Sequence, residues 1–535
     1  MISLGWWNLV IIITVAWFLK YNWRLDRDQT AWQNSLFLKA PTLQKFSQFC
    51  SRPIVSWIFQ AVIILAVTRF LCYTIWLVYD LTNRPDPPYW DFKWFYVASK
   101  LAHDHLSPFN VEVFNQGFCR ITKVCGLIPS FVYPPNIIPV IWFLGYFPMK
   151  TAFTIWTVLH LIATGFVLWG ANILLESQSR ALRTICSISV AFLYGFVFDL
   201  QVGNVATFIA MLLLWMFILA RNNRDLPAGI LLGIALFKPT LVVLFIPYFI
   251  IKKRFYLVFV SIITAIILAL FGLAISGNSL TGFLQDAIRG FPLWLNDPSN
   301  NPYISMSRID LRVVGPRFFP QSPFAAKLFS DLIILVLVGL VSWYFYQKQS
   351  GTGVHPIFAN IFVGAKHDRS KSLVLTNKLS AVMLRPHKIE MHPRTAWSKN
   401  IDLPEMVLVS CLSIGINYSQ PTSSVMLAPA VVFFLNDLCF QIKNCVFYGK
   451  RMSVWLLGVG CLLMQTAVIH AGLLVFLGKR WNWKDGELPY LLKVTVFSLP
   501  SYAVLGITLS VLVLAMTSVG QKQVVEFDRS PSSSK

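Results

Sequence analysis

The sequence predicts an all-α integral membrane protein, a polytopic helical bundle of about 12 to 13 spans. Three observations carry this. Hydrophobic residues make up 56% of the 535-residue chain and charged residues only 13%, against about 25% charged in a soluble domain; the mean hydropathy is +0.62. Apolar runs of spanning length recur along the chain. Basic residues gather in particular connections, as positive-inside topology requires. Hydrocarbon offers no partner to an unpaired backbone group, so such runs are read as helices, and a soluble-domain reading is excluded.

In chain order, residues 4–19 form a first span. They lack the small-residue cleavage site of a secretory signal and precede Lys20, Arg24, Arg27, Lys39, Lys45 and Arg52, so they read as an uncleaved anchor. Residues 1–52 thus form an extra amino-terminal unit. A membrane core over 53–275 follows, with runs at 53–79, 150–173, 184–200, 203–220 and 254–275. It carries a first outer loop at 80–133 and a re-entrant or interfacial helix at 134–147. Within it, half-runs at 226–237 and 239–251 break at Lys238-Pro239, because proline lacks a helix donor and restricts its predecessor. Residues 276–347 hold a second outer loop and the run 328–346. A basic loop occupies 348–403. Carboxy-terminal spans fill 404–520, with short runs at 404–418 and 422–437 around Ser419-Gln420-Pro421 and long ones at 453–477 and 494–516. The polar tail 521–535 reads as disordered.

The net charge of +22 is explained by cytosolic loops rather than by nucleic acid, which is excluded as a partner. Arg180 with Arg183, Arg221 with Arg224, Lys252-Lys253-Arg254, the 348–400 loop and Lys443 with Lys450-Arg451 all fall inside if the amino terminus is outside and the paired half-runs are hairpins reaching the outer face. Lys479, Arg480 and Lys484 break the pattern. The 348–400 loop, with His355, His367, His387 and His392 scattered through it, reads as a linker against anionic membrane lipids. This topology brings the 80–133 loop, Gln201 to Asn204, the Lys238 break, the 276–326 loop and Ser419 to Ser424 to one exoplasmic face. Polar groups converging between spans are where a membrane-embedded site is built.

Most of the nine cysteines lie in or beside apolar runs, as small packing residues do. Cys119 and Cys125 share a hydrophilic loop, and spacing alone leaves open whether they are bridged. No metal is expected: His103-Asp104-His105 are adjacent and point apart, and no zinc pattern exists. No cofactor is expected either. The loop carries Asp91, Lys93, Trp94, Phe95, Tyr96 and Ala98, then Ser107-Pro108-Phe109-Asn110, and closes with Phe131, Tyr133, Pro134 and Pro135. A carboxylate at the mouth of a bundle can take a proton from an attacking sugar hydroxyl, although a solvated loop acid is the plain reading of Asp91. Lys238 stands between two apolar half-helices, where an ammonium either holds an anion or snorkels. Gln201 and Asn204 suit a sugar or phosphate and equally suit a helix cap. Asp86 is the fallback base; Arg289, Arg308, Arg312 and Arg317 are weaker phosphate candidates. Trp90, Trp94, Phe95 and Tyr96 offer surfaces to sugar or lipid.

This order of residues resembles glycosyltransferase family 87, polyprenyl-phosphate-dependent membrane enzymes of the GT-C fold that include α-mannosyltransferases. Beyond Asp91, Tyr96, Ala98, Pro108-Phe109 and Tyr133-Pro134-Pro135, the later Gln201-Val-Gly203-Asn204, Arg221 to Arg224, and Ala228-Gly229 through Gly233 to Lys238-Pro239 are similar to the family's pattern. The resemblance runs over roughly 53–275 and thins beyond, where Tyr418 to Ser424 replaces the family's Ser-Pro and Trp or His cluster. It implies Asp91 as catalytic base, with Tyr96, Tyr133, Gln201, Asn204 and Lys238 binding substrate. It further implies inverting transfer of a hexose, mannose first, from a polyprenyl-phosphate sugar donor to a glycolipid or glycan acceptor. The site would lie on the exoplasmic side of a multi-pass protein of the inner or plasma membrane. A lipid or solute transporter or flippase and a non-catalytic envelope-assembly protein are the competing readings, since broken helices also build transport sites.

Overall fold

The structure, a computed structural model, describes residues 79, 90–126, 129–175, 190, 194–297, 300–303, 305, 308–350, 402–416, 421–433 and 498–527. The runs at 4–19 and 453–477, Asp86 and nearly all of the 348–403 loop lie outside the described residues. Among those described the chain is all-α, with no strand. Three helices are long and apolar enough to cross a membrane: Met149–Leu174, Phe255–Ile275 and Pro323–Tyr346. The chain is an α-helical membrane protein.

Two helices come from the first hydrophilic loop, α1 (Trp90–His103) and α2 (Val111–Thr122). Asn110 starts α2 by accepting the Glu112 and Val113 N–H groups, satisfying donors that a helix start leaves orphaned. The 134–147 run becomes a 3-10 turn at Pro135–Ile137, the short α3 (Ile138–Ile141) and a second 3-10 turn at Trp142–Tyr146. The Ser99 hydroxyl donates to the Ile141 carbonyl at 2.9 Å, holding this segment on α1. Next come α4 (Met149–Leu174), α5 (Tyr194–Val202) and α6 (Ala206–Arg221).

The broken pair resolves into α7 (Asp225–Ala235), α8 (Pro239–Val242) and α9 (Phe245–Ile251). They form a hairpin with Lys238 at its tip. Its two feet meet, for Arg254 donates to the Asp225 carboxylate at 2.9 Å and to the Asn223 side chain at 2.7 Å. At 11 residues, α7 rises only about 16 Å, about half of a roughly 30 Å hydrocarbon layer. The next helix, α10 (Phe255–Ile275), has 21 residues and rises about 31 Å, enough to cross. Gly229 and Gly233 let α7 lie against it: a Cβ on Gly233 would stand 2.5 Å from the Ser261 carbonyl oxygen, and one on Gly229 2.7 Å from that of Leu257. Small residues four apart permit such backbone approach where no water drives helices together.

The remainder comprises α11 (Leu280–Asn296), a 3-10 turn at Leu311–Val313, α12 (Val314–Phe318), α13 (Pro323–Ser350), α14 (Leu403–Ile416), a 3-10 segment at Pro421–Leu427, and α15 (Leu499–Phe527). The last seven residues of α15 fall in the segment whose composition reads as disordered. Basic residues collect at one end of the bundle. There Lys252 pairs with buried Glu405 at 2.6 Å, and the Tyr248 hydroxyl donates to the other Glu405 oxygen at 2.8 Å, joining α9 to α14. The α5–α6 turn, the hairpin tip and α1 lie towards the opposite end.

Candidate active site

Asp91 occupies the first turn of α1, where the helix dipole favours an anion. The helix is no solvated loop. Phe92, Phe95, Val97, Ala98 and Ala102 are all fully buried, and Phe92 and Phe95 pack on Phe153 and Trp156 of α4 at 5.0 and 5.8 Å between ring centres. The plain expectation of a solvated acid is therefore corrected, since aromatic residues on several faces of α1 draw it into the bundle and carry Asp91 to a half-buried position.

The α5–α6 turn approaches from the other side. Gly203 takes φ +71, and a Cβ there would lie 2.6 Å from the Phe92 Cβ. Glycine supplies both the left-handed conformation and the close approach. Trp156 fixes the turn by donating its indole N–H to the Gly203 carbonyl at 3.0 Å. Buried Asn204 then reaches both charged candidates: its amide nitrogen donates to Asp91 Oδ2 at 2.7 Å, while its Oδ1 accepts from the Lys238 ammonium at 2.8 Å and from the Val205 N–H at 2.7 Å. This amide orientation is the one charge dictates, with NH2 towards the carboxylate and oxygen towards the ammonium.

Three residues read from the sequence as separate candidates thus form one bridge, Asp91–Asn204–Lys238. Burial raises the Asp91 pKa above its ordinary value, opposed by the Asn204 hydrogen bond and the Lys238 charge. The Lys238 ammonium lies within electrostatic reach of Asp91 and of a second carboxylate, Asp199. Asp199 was not singled out from the sequence; its only signal was an acid inside an apolar run. It is fully buried and accepts the Thr207 N–H at 2.7 Å.

The other candidates are placed differently. Tyr96 is buried, and its hydroxyl donates to the Phe147 carbonyl at 2.9 Å, tying α1 to the segment before α4. Tyr133 is half-buried with its ring 5.0 Å from Phe95 and 5.4 Å from Phe131. Gln201 is half-buried in the last turn of α5 and is not a member of the bridge. Phe95 and Tyr96 are too enclosed to offer ring faces to a sugar, and Trp94 packs on Phe114 at 5.2 Å. Those aromatics build the wall behind Asp91.

The arginines of the second hydrophilic loop are mostly engaged. Arg308 forks onto Asp310 at 2.8 and 2.9 Å, and Arg312 donates to the Ile416 carbonyl at 2.9 Å. Arg317 is buried and donates to the Arg308 carbonyl at 3.1 Å, its pKa lowered by burial to about 10. Arg289 is exposed on α11. His103 packs on Tyr146, Asp104 pairs with Arg120 at 3.8 Å, and His105 faces the Ile275 carbonyl at 3.0 Å, so the triplet points three ways. Cys119 and Cys125 are joined by a disulfide.

Residues 131–365 match the model of glycosyltransferase family 87. That stretch is similar to family 87 glycosyltransferases. At the level of class, the chain is a membrane glycosyltransferase. The family 87 match reaches further toward the carboxyl terminus than the motif resemblance and covers Tyr133, Gln201, Asn204 and Lys238. Asp91 precedes it, and the fold brings Asp91 onto the matched region through Asn204. No curated protein and no solved structure matches the chain.

Proposed function

We propose that the protein transfers a hexose, mannose first among them, from a polyprenyl-phosphate sugar to an exoplasmic glycolipid or glycan, with inversion. The observation that carries this reading is the Asn204 bridge, which holds a carboxylate and an ammonium side by side at the tip of a short apolar hairpin. Asn204 engages Asp91 through Oδ2, leaving Oδ1 to face an acceptor. As the acceptor oxygen attacks the anomeric carbon, Asp91 takes its proton and the bond from that carbon to the phosphate oxygen breaks. The lipid phosphate departs with added negative charge, which Lys238 neutralises through a charge-assisted contact. A β-linked donor then yields an α-glycoside. Gln201 completes the sugar side of the site, while Tyr96 and Tyr133 shape its wall. The Cys119–Cys125 disulfide in the same loop supports an exoplasmic placement, because cytosolic thiols are kept reduced.

The test is a transfer assay of the full chain in nanodiscs, using radiolabelled polyprenyl-phosphate mannose, the corresponding glucose donor and nucleotide sugars in parallel. Labelled glycoside formed from the lipid-linked donor is the expected result. Product formed only from nucleotide sugars contradicts the donor assignment. Uptake of label into proteoliposomes without a new covalent product would identify a carrier instead.

A further inference from the structure

Beneath the bridge lies a second polar cluster with no part in the chemistry above. Asp199 on α5 faces His160 on α4, with the imidazole Nδ1 3.7 Å from Asp199 Oδ2. Thr157 lies one helical turn before His160 on the same face of α4, and Thr207 stands in the first turn of α6. All four side chains are at most 2% exposed. In strict hydrogen-bond geometry five of their buried polar atoms have no protein partner, the Thr157 hydroxyl, both His160 ring nitrogens, Asp199 Oδ1 and the Thr207 hydroxyl; at longer range His160 reaches the Asn204 backbone and the Thr207 side chain reaches the Asp199 carboxylate. Phe208 and Trp156 close the cluster, with ring centres 4.5 and 5.6 Å from that of His160. Buried polar groups are almost always satisfied, and where several orphans converge from different helices, an internal water with two to four partners is the usual occupant.

The cluster is fastened to the active-site turn. The Asp199 carbonyl accepts the Gly203 and Asn204 N–H groups at 2.8 and 3.2 Å, while its carboxylate holds the Thr207 N–H. Asp199 therefore grips both sides of the turn that presents Asn204. We propose that Thr157, His160, Asp199 and Thr207 enclose an internal water site, and that this hydrated cluster positions the Gly203–Asn204 turn under Asp91. Asp199 and His160 are positioning residues: they touch no substrate and act through Asn204. The inference rests on the reading of Asp91 as the base.

It is tested on the full chain in nanodiscs with the lipid-linked sugar assay. Asp199→Ala lowers the rate at saturating donor by about 10- to 100-fold, the penalty of a misplaced catalytic group, with donor KM changed by no more than about threefold. Asp199→Asn retains an acceptor for Thr207 and a partner for water, and keeps the rate within about fivefold of the parent. A water-resolving density map shows a peak among the four side chains. A dry cluster, an Asn variant reduced about 100-fold, or an Ala variant with parental rate overturns the inference. The map and the Asn variant decide it even where Asp199→Ala fails to accumulate. Parental activity in Asp91→Asn brings down the base reading as well, whereas an inactive Asp91→Asn beside a fully active Asp199→Ala brings down this inference alone.

Discussion

The Lys238 ammonium donates to the Asn204 side-chain oxygen at 2.8 Å, from the tip of one hairpin to the turn between two other helices. Through the same amide Lys238 is coupled to Asp91, so in the proposed mechanism the charge that would meet a donor phosphate also bears on the acidity of the base. Lys238→Met should weaken donor use, raising the donor KM by about tenfold or more for a lost charge-assisted contact. It should also move the acid limb of the rate profile. Lys238 lowers the Asp91 pKa against the raising effect of burial, so its removal lets that pKa rise, and the loss of activity on acidification begins at higher pH. A pH series of kcat/KM for parent and mutant checks both; an unchanged KM and acid limb would reduce Lys238 to a snorkelling residue.

Close packing of α7 on α10 should be as necessary as the charges. A side chain at Gly233 would meet the Ser261 carbonyl and Thr264, so Gly233→Leu should push the hairpin off α10 and displace Lys238. Loss of transfer together with a lower unfolding temperature is expected. Gly165→Ala, inside α4 where an added Cβ meets nothing within 4 Å, is the control and should leave transfer unchanged and the unfolding temperature no lower.

At the basic end, Lys252 and Glu405 form a pair with side chains 10% and 0% exposed. Lys252→Met leaves the Glu405 carboxylate buried without its counter-charge, still held by the Tyr248 hydroxyl and the Asp402 N–H, which should destabilise the fold by about 3 kcal/mol. Lys252→Met combined with Glu405→Leu should recover most of that loss. Thermal unfolding in detergent measures it, and a double mutant no better than the single would remove this pair from the account of stability.

The proposed sidedness can be tested at the same two ends. A cysteine introduced at exposed Thr281, beyond the Ile275 end of α10, should react with an impermeant thiol reagent on intact cells, and one at exposed Asn223, beside Arg254 at the other end of α10, should not. The reverse pattern would invert the proposed topology.

Much of this was legible in the sequence because the bilayer makes hydropathy a direct reading of structure. The run 150–173 became α4 and 254–275 became α10, each within a residue or so of its helix, and the Lys238-Pro239 break became a hairpin tip. Asp91, Asn204 and Lys238 stood out as polar residues in an apolar setting. What hydropathy does not encode is which polar groups meet. Tyr96 reads as a sugar contact from the sequence, and the fold sets its hydroxyl on the Phe147 carbonyl. Asp199 passed unnoticed because one acid inside an apolar run looks the same whether it faces lipid, water or the first turn of another helix. Arg308 and Arg312 read as candidate phosphate ligands because their partners, Asp310 and the Ile416 carbonyl, are set by tertiary packing.

The central claim is that Asp91 is the base, and Asp91→Asn tests it most directly. The amide retains the volume and the contact to Asn204's side of the site but cannot take a proton. Turnover of the lipid-linked donor by the purified mutant should fall by about 10²- to 10⁴-fold, with donor binding preserved, since a general base acts in the transition state. Asp104→Asn, at an exposed acid paired with Arg120, and Asp86→Asn should each transfer at the parental rate. Near-normal transfer by Asp91→Asn, or an equal loss in all three, would contradict the assignment.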